Sequence, residues 1–213
     1  MNPAFLDPEI DPDLPNVLLI GDSISIGYTL HVRKALSGRA NVFRPKTNCG
    51  PTTRGLEQME SWLTGRDWAA IHFNFGLHDL KYLGPQGQNL ANPADPNSRQ
   101  QVPPDAYREN LARIAKQVKA TGAVVIWRET SPVPVGAKGR VPGDAAKYNA
   151  IARDVMLELG GIEIDPFFDF ATKHAKLQRD ANVHYLPEGQ QTLGSHVAEV
   201  IESALLGKPS VSP

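Results

Sequence analysis

The apolar positions of this chain fall into short continuous runs separated by stretches with helical spacing. From Asn16 to Ile20 a run containing Val17, Leu18 and Leu19 is too short for a helix and ends at Gly21-Asp22-Ser23, which predicts a strand buried on both faces. Beyond it Ile26, Leu30 and Ala35, with Val32 and Leu36, keep a helix-compatible spacing up to Gly38, and Ser23 or Ser25 is placed to cap that helix. The cadence then repeats: Asn41 to Arg44 predicts a short strand, Leu56 to Leu63 a helix, and Ala69 to Phe75 a strand ending at Gly76. A third helix is predicted from Asp105 to Ala120, opened by Pro103-Pro104 and closed at Gly122, with Leu111, Ile114, Ala115 and Val118 on one face. Ala123 to Trp127 reads as the next strand, Asp144 to Leu159 as a helix stopped by Gly160-Gly161, Ile162 to Ile164 as a fifth strand, and Glu188 to Leu205 as the closing helix.

Strands that alternate with helices argue for a parallel sheet, because parallel neighbours need a crossover and a helix supplies it. The expected fold class is α/β, a three-layer α/β/α sandwich around a five-stranded parallel sheet. In such an open sheet, ligands bind outside the carboxyl ends of the strands. The loops there are Gly21–Ser25, Asn48–Thr53 and Gly76–Lys81. The stretch from Leu83 to Pro103 is rich in Gln, Asn, Pro and Gly and too long for an ordinary connection, so it is expected to form a flap over the site.

Composition narrows the function classes. At 213 residues, 41% hydrophobic and 21% charged, the chain is expected to form one domain over 1–213, with 1–15 as an N-terminal extension and 208–213 as a frayed tail. Its 22 basic and 23 acidic residues are spread without long runs, so neither nucleic acid nor an anionic membrane is an expected partner. Cys49 is the sole cysteine, which leaves no internal disulfide and no cysteine cluster for zinc. Residues Met1 to Pro15 lack the basic and apolar regions of a secretory signal, and no stretch approaches 18 apolar residues. The expectation is a soluble protein, cytoplasmic as the sequence stands, and secreted or periplasmic if a leader has been removed.

Two residues stand out chemically. Ser23 lies where a buried strand turns into a helix, so its hydroxyl projects from the top of the sheet and backbone N–H groups face any developing anion. The competing role for such a serine is simply to cap the helix. His184 lies in the loop Asn182-Val183-His184-Tyr185-Leu186-Pro187 just before the last helix, near the same edge, where a neutral imidazole can take the serine proton and return it to a leaving group.

Gly21-Asp22-Ser23-Ile24-Ser25 near the N-terminus, Asn48-Cys49-Gly50-Pro51-Thr52, Gly76-Leu77-His78-Asp79 and the His184 loop together resemble the SGNH/GDSL hydrolase superfamily over almost the whole chain. The resemblance implies a flavodoxin-like sandwich with Ser23 as nucleophile and His184 as base. It also implies an oxyanion hole from the N–H groups of Ser23 and Gly50 and a side chain on the third loop. The usual donor there is an Asn two residues after the Gly; this chain has His78, with Asn74 as a substitute. The family commonly places an Asp three residues before the base; that position is Ala181, and Asp180 one residue further back is the candidate acid. A backbone carbonyl orienting the ring is the alternative, and Asp165 and Asp169 are further candidates.

The Gly-x-Ser-x-Gly elbow is absent because Ser25 occupies its last position, and no Gly-x-Gly-x-x-Gly or Walker A pattern occurs. His31, His72, His174 and His196 lack ligand spacing, so no metal and no cofactor is expected. Arg128, after the fourth strand, and Asn74 are candidate substrate contacts, Arg128 for a carboxylate or polar group. The expected function is a serine carboxylic ester hydrolase acting on a small-molecule or carbohydrate ester, such as an acetylated sugar. An acyltransferase or thioesterase using the same pair, or a non-catalytic carbohydrate-binding protein on the same scaffold, are the alternatives.

Overall fold

In the computed structural model, which describes residues 2–207, the first apolar run forms β1 (Asn16–Ile20), and Val17 through Ile20 are all buried. In chain order there follow α1 (Ser23–Ala35), β2 (Asn41–Phe43), α2 (Thr52–Leu63), β3 (Ala70–Phe73), β4 (Tyr82–Leu83), β5 (Arg99–Gln100), α3 (Pro104–Lys119), β6 (Val124–Arg128), α4 (Asp144–Leu159), β7 (Glu163–Asp165), α5 (Phe167–Lys173) and α6 (Pro187–Leu205). Burying each side chain such as Leu19 or Ile71 is worth about 1.5–3 kcal/mol relative to exposure, which is why runs this apolar end up as central strands. The expected tail at 208–213 lies outside the described residues.

Five strands form one parallel sheet in the order β2-β1-β3-β6-β7. Helices α1 and α6 pack together on it, as do α2, α3 and α4 in sequence, giving the three-layer α/β/α sandwich. The α1–α6 contact depends on a bare backbone. A Cβ on Gly194 of α6 would lie 2.5 Å from the His31 Cβ and 3.1 Å from the Tyr28 carbonyl oxygen of α1. From β1 the chain crosses to β2 on one side and then to β3 on the other, so the crevice at the carboxyl ends of β1 and β3 is the topological switch point. Ser23 leaves β1 there and His78 follows β3.

Element bounds differ from expectation where a distant group decides them. Helix α2 starts at Thr52 rather than Leu56 because the Asp79 carboxylate accepts the Thr52 N–H at 2.8 Å, supplying a cap from 27 residues away. The cap of α1 is neither Ser23 nor Ser25 but Asp22, whose Oδ1 accepts the Ile24 N–H at 2.9 Å. A carboxylate at a helix N-terminus also meets the favourable end of the dipole. β7 is shifted one residue, to end on Asp165 beside Arg128 of β6. The seven-residue α5, which buries Phe167 and Ala171, is not foreseen by the hydrophobic spacing. Residues 83–103 form an ordered arm. β4 and β5 pair antiparallel, and the N–H groups of Gln101 and Val102 return to the carbonyls of Lys81 and Asp79.

Candidate active site

Because Asp22 takes the capping role, the Ser23 hydroxyl is left without a structural duty. Its Oγ lies 2.8 Å from His184 Nε2, across 161 residues of sequence. The base arrives on a tight turn. Arg179 N–H donates to the His184 carbonyl at 2.8 Å, Leu186 N–H to the Leu177 carbonyl at 2.9 Å, and Gln178 bridges antiparallel to Tyr185. At the tip Ala181 adopts φ 47, a left-handed conformation unusual for a residue with a Cβ.

That tip brings Asn182 under the ring. Asn182 Oδ1 is 3.0 Å from the His184 backbone N and 2.7 Å from His184 Nδ1. A backbone N–H can only donate, so the side-chain atom facing it is the oxygen; Nδ1 must then be a donor too, and Nε2 carries the free lone pair. The imidazole is thus held in the tautomer that accepts the Ser23 proton. Asp180, the expected acid, is exposed and its carboxylate makes no hydrogen bond among the described residues; the turn at Ala181 delivers Asn182 in its place. The signal for Asn182 was its own spacing, an Asx two residues before an N–H it can accept.

The charge around the pair is set by few groups. Burial lowers the His184 pKa below the ordinary histidine value; Asp22 opposes this, while Arg140 and Arg179 add to it. His78 is pushed down to about 4, mainly by burial, with Lys81, Arg140 and His184 reinforcing and Asp22 opposing. Both rings are therefore neutral at pH 7.

Of the three donors expected for an oxyanion hole, two have no acceptor among the described residues. Ser23 N–H opens α1 and has no acceptor within the helix. His78 sits half-buried after β3, with no hydrogen bond of its own among the described residues. The Gly50 N–H, expected in the same group, instead donates to Asn48 Oδ1 at 3.0 Å. Gly50 has φ 67, which suits the turn that closes this bond. Arg44 fastens the loops. Its Nη1 donates to Ser25 Oγ at 2.7 Å and Thr29 Oγ1 at 3.0 Å, and its Nη2 to the carbonyls of Gly21 and Thr47 at 3.2 and 3.1 Å. Cys49 is buried and its thiol is pushed up to about 11, so it is not a competing nucleophile.

The two expected substrate contacts lie beneath the surface. Asn74 is buried, and its Nδ2 donates to the Arg128 carbonyl at 2.8 Å, tying β3 to β6. Arg128 is 0% exposed, with its guanidinium carbon 4.0 Å from the Phe167 ring centroid. Neither presents a polar group outward. Asp165, the register neighbour of Arg128, gives its oxygens to His72 Nε2 at 3.1 Å and His196 Nε2 at 2.7 Å. Burial alone would raise its pKa, but these bonds outweigh it and hold the group at about 2. Asp165 therefore serves those two histidines and not His184. Among the described residues no cluster of three or more His, Cys, Asp or Glu is placed to hold a metal, and no helix is long and apolar enough to cross a membrane.

No family model and no curated protein sequence matches the chain. Solved structures do. A lipase/acylhydrolase from Enterococcus faecalis is similar at 16% identity and TM-score 0.68, covering 93% of this chain and 100% of its own. The acetyl xylan esterase AlAXEase is similar at 16% identity and TM-score 0.65, over 85% and 97%. A GDSL-like lipase from Bacteroides thetaiotaomicron is similar at 14% identity and TM-score 0.64, over 89% and 88%. With the strand order and helix layers described above, the chain carries the fold of the SGNH/GDSL-type hydrolases.

Proposed function

We propose that this chain is a serine esterase that hydrolyses small acyl esters through an acyl-enzyme. The observation that carries the reading is the 2.8 Å approach of Ser23 Oγ to His184 Nε2, the ring nitrogen left bare by the Asn182 contact. In the first step Ser23 Oγ bonds to the ester carbonyl carbon while its proton passes to Nε2. The carbonyl oxygen becomes an oxyanion facing the Ser23 N–H and the neutral His78 ring, and the Gly50 N–H joins them on exchanging its Asn48 partner. Collapse breaks the bond to the alcohol, which leaves with the proton from Nε2. Water then repeats the sequence and frees Ser23. Preorganised donors of this kind are worth about 10²–10³ in kcat each.

The space enclosed on the α1–α6 side of the pair is too small to take an acyl chain. The cleft lined by Ser23, Ile24, Gly27, His184, Tyr185, Gln190 and Leu193 has a volume of ≈ 10 Å³, room for about one water. Deacetylation of a carbohydrate is the finer reading, supported by similarity of fold to an acetyl xylan esterase. The test is p-nitrophenyl acetate turnover with fluorophosphonate labelling. Wild type turns over and is labelled at Ser23, and Ser23→Ala loses both while keeping its circular dichroism; undiminished turnover in that variant overturns the reading.

A further inference from the structure

The loop between β6 and α4 is stitched to the loop after β3 at two points that bracket His78. Arg140 Nε donates to the Leu77 carbonyl at 3.0 Å, and the Tyr82 N–H donates to the Gly139 carbonyl at 2.8 Å. Arg140 and Lys81 are thereby held on neighbouring segments, each half-buried. Only Nε of Arg140 is spent on the protein. Its two terminal nitrogens, and Lys81 Nζ, have no acceptor among the described residues.

We propose that Arg140 and Lys81 form an anion-binding subsite beside Ser23 and His184, so that the ester hydrolysed here carries a carboxylate. This rests on the esterase reading and names its substrate class. Two cations brought together without a carboxylate between them repel. The acidic groups acting on them are buried and hydrogen-bond to neither: Asp22 caps α1 and raises the Arg140 pKa, and Asp79, whose Oδ1 accepts the N–H and hydroxyl of Thr52, raises that of Lys81. The Lys81 pKa is lowered by burial and then by Arg140, with Asp79 opposing. The charge of Arg140 also reaches both His78 and His184, and that of Arg179 reaches His184. Arg140 thus lies within reach of both rings and Lys81 within reach of His78, with Asp22 the opposing charge on each ring, on a chain whose net charge is −1. A guanidinium fixed through Nε, with its terminal nitrogens free, matches the two oxygens of a carboxylate, and the Lys81 ammonium adds a point charge.

The experiment compares ester pairs that differ only in charge. p-Nitrophenyl hemisuccinate against p-nitrophenyl butyrate places the carboxylate on the acyl side; an aryl acetate bearing a ring carboxylate against p-nitrophenyl acetate places it on the leaving group. In one pair or the other, wild type is expected to prefer the anionic ester at least tenfold in kcat/KM, chiefly through KM, and added NaCl to erode the preference. The double variant Arg140→Gln/Lys81→Met loses that preference, and Arg140→Lys, which keeps the charge, retains part of it. No preference in either pair, or a preference that survives in the double variant, overturns the subsite. If wild type hydrolyses none of these esters, the esterase reading fails on its own, and calorimetric titration of p-nitrophenyl hemisuccinate into Ser23→Ala protein decides the subsite. Binding that the Arg140/Lys81 substitutions abolish upholds it, and absence of binding removes it.

Discussion

Asn182 Oδ1 accepts two hydrogen bonds from the same residue, the backbone N–H of His184 at 3.0 Å and the ring Nδ1–H at 2.7 Å. The first bond identifies the atom as oxygen and the second fixes the tautomer, so one amide does the orienting work that an aspartate does in a Ser-His-Asp triad. What a neutral amide does not provide is a negative charge opposite the imidazolium that the proposed attack by Ser23 would form.

Two consequences follow for the proposed base. Activity requires neutral His184, and its pKa is held below the ordinary histidine value, so kcat/KM is expected to stay high below pH 6.5 before its acid limb falls. Asn182→Asp places a carboxylate at the ring, which favours the charged imidazole and moves that limb to higher pH. Asn182→Ala releases the ring and lowers kcat by about 10²-fold. A pH–rate profile unchanged in the aspartate variant would show that Asn182 does not bear on the base.

His78 is expected to act as a neutral donor to the oxyanion. With its pKa pushed down to about 4, it contributes no limb to the profile above pH 5. His78→Ala is expected to lower kcat by about 10²–10³ with little change in KM, the loss typical of one oxyanion donor. His78→Asn, which restores an N–H donor, should recover activity to within about tenfold. Equal losses in both variants would assign His78 a packing role instead.

The features legible in the sequence are those that local pattern controls. Val17 to Ile20 could only be a central strand, and the stop at Gly21-Asp22-Ser23 left the serine at the sheet's carboxyl edge. The pairing of Ser23 with a histidine ahead of the final helix is read from their places at the same edge of the sheet, and the motif resemblance implies the same pair. Features set by tertiary contact were not legible. Arg128 reads as a strand-end residue free to meet substrate, yet it is sealed against Phe167 by an α5 whose seven residues give no clear period. Asp180 was the nearest acid by count, but a left-handed Ala181 reverses the chain before it can reach the ring. The start of α2 depends on Asp79, a cap that no window of local sequence contains.

Asp79 also predicts how stability responds to pH. Its carboxyl is buried and raised to about 7, against the opposing effect of the hydrogen bonds from the Thr52 hydroxyl at 2.6 Å and N–H at 2.8 Å; Oδ2 has no partner among the described residues. Between about pH 4 and pH 7 the folded protein therefore holds a proton that the unfolded chain has released, so this group's contribution falls as pH rises through that window and is level on either side. The full swing is on the order of 4 kcal/mol. Asp79→Asn keeps the acceptor for Thr52 but cannot titrate, and it leaves an amide N–H₂ without an acceptor at a cost of about 1–3 kcal/mol. The variant is expected to be less stable than wild type at pH 4.5 and to equal or exceed it at pH 8, measured by urea denaturation. Taking the difference between the two proteins cancels the opposite slope from His72, His78 and His184, whose lowered pKa values make stability rise with pH. A stability difference that stays constant from pH 4.5 to 8 would mean that Asp79 is ionised throughout.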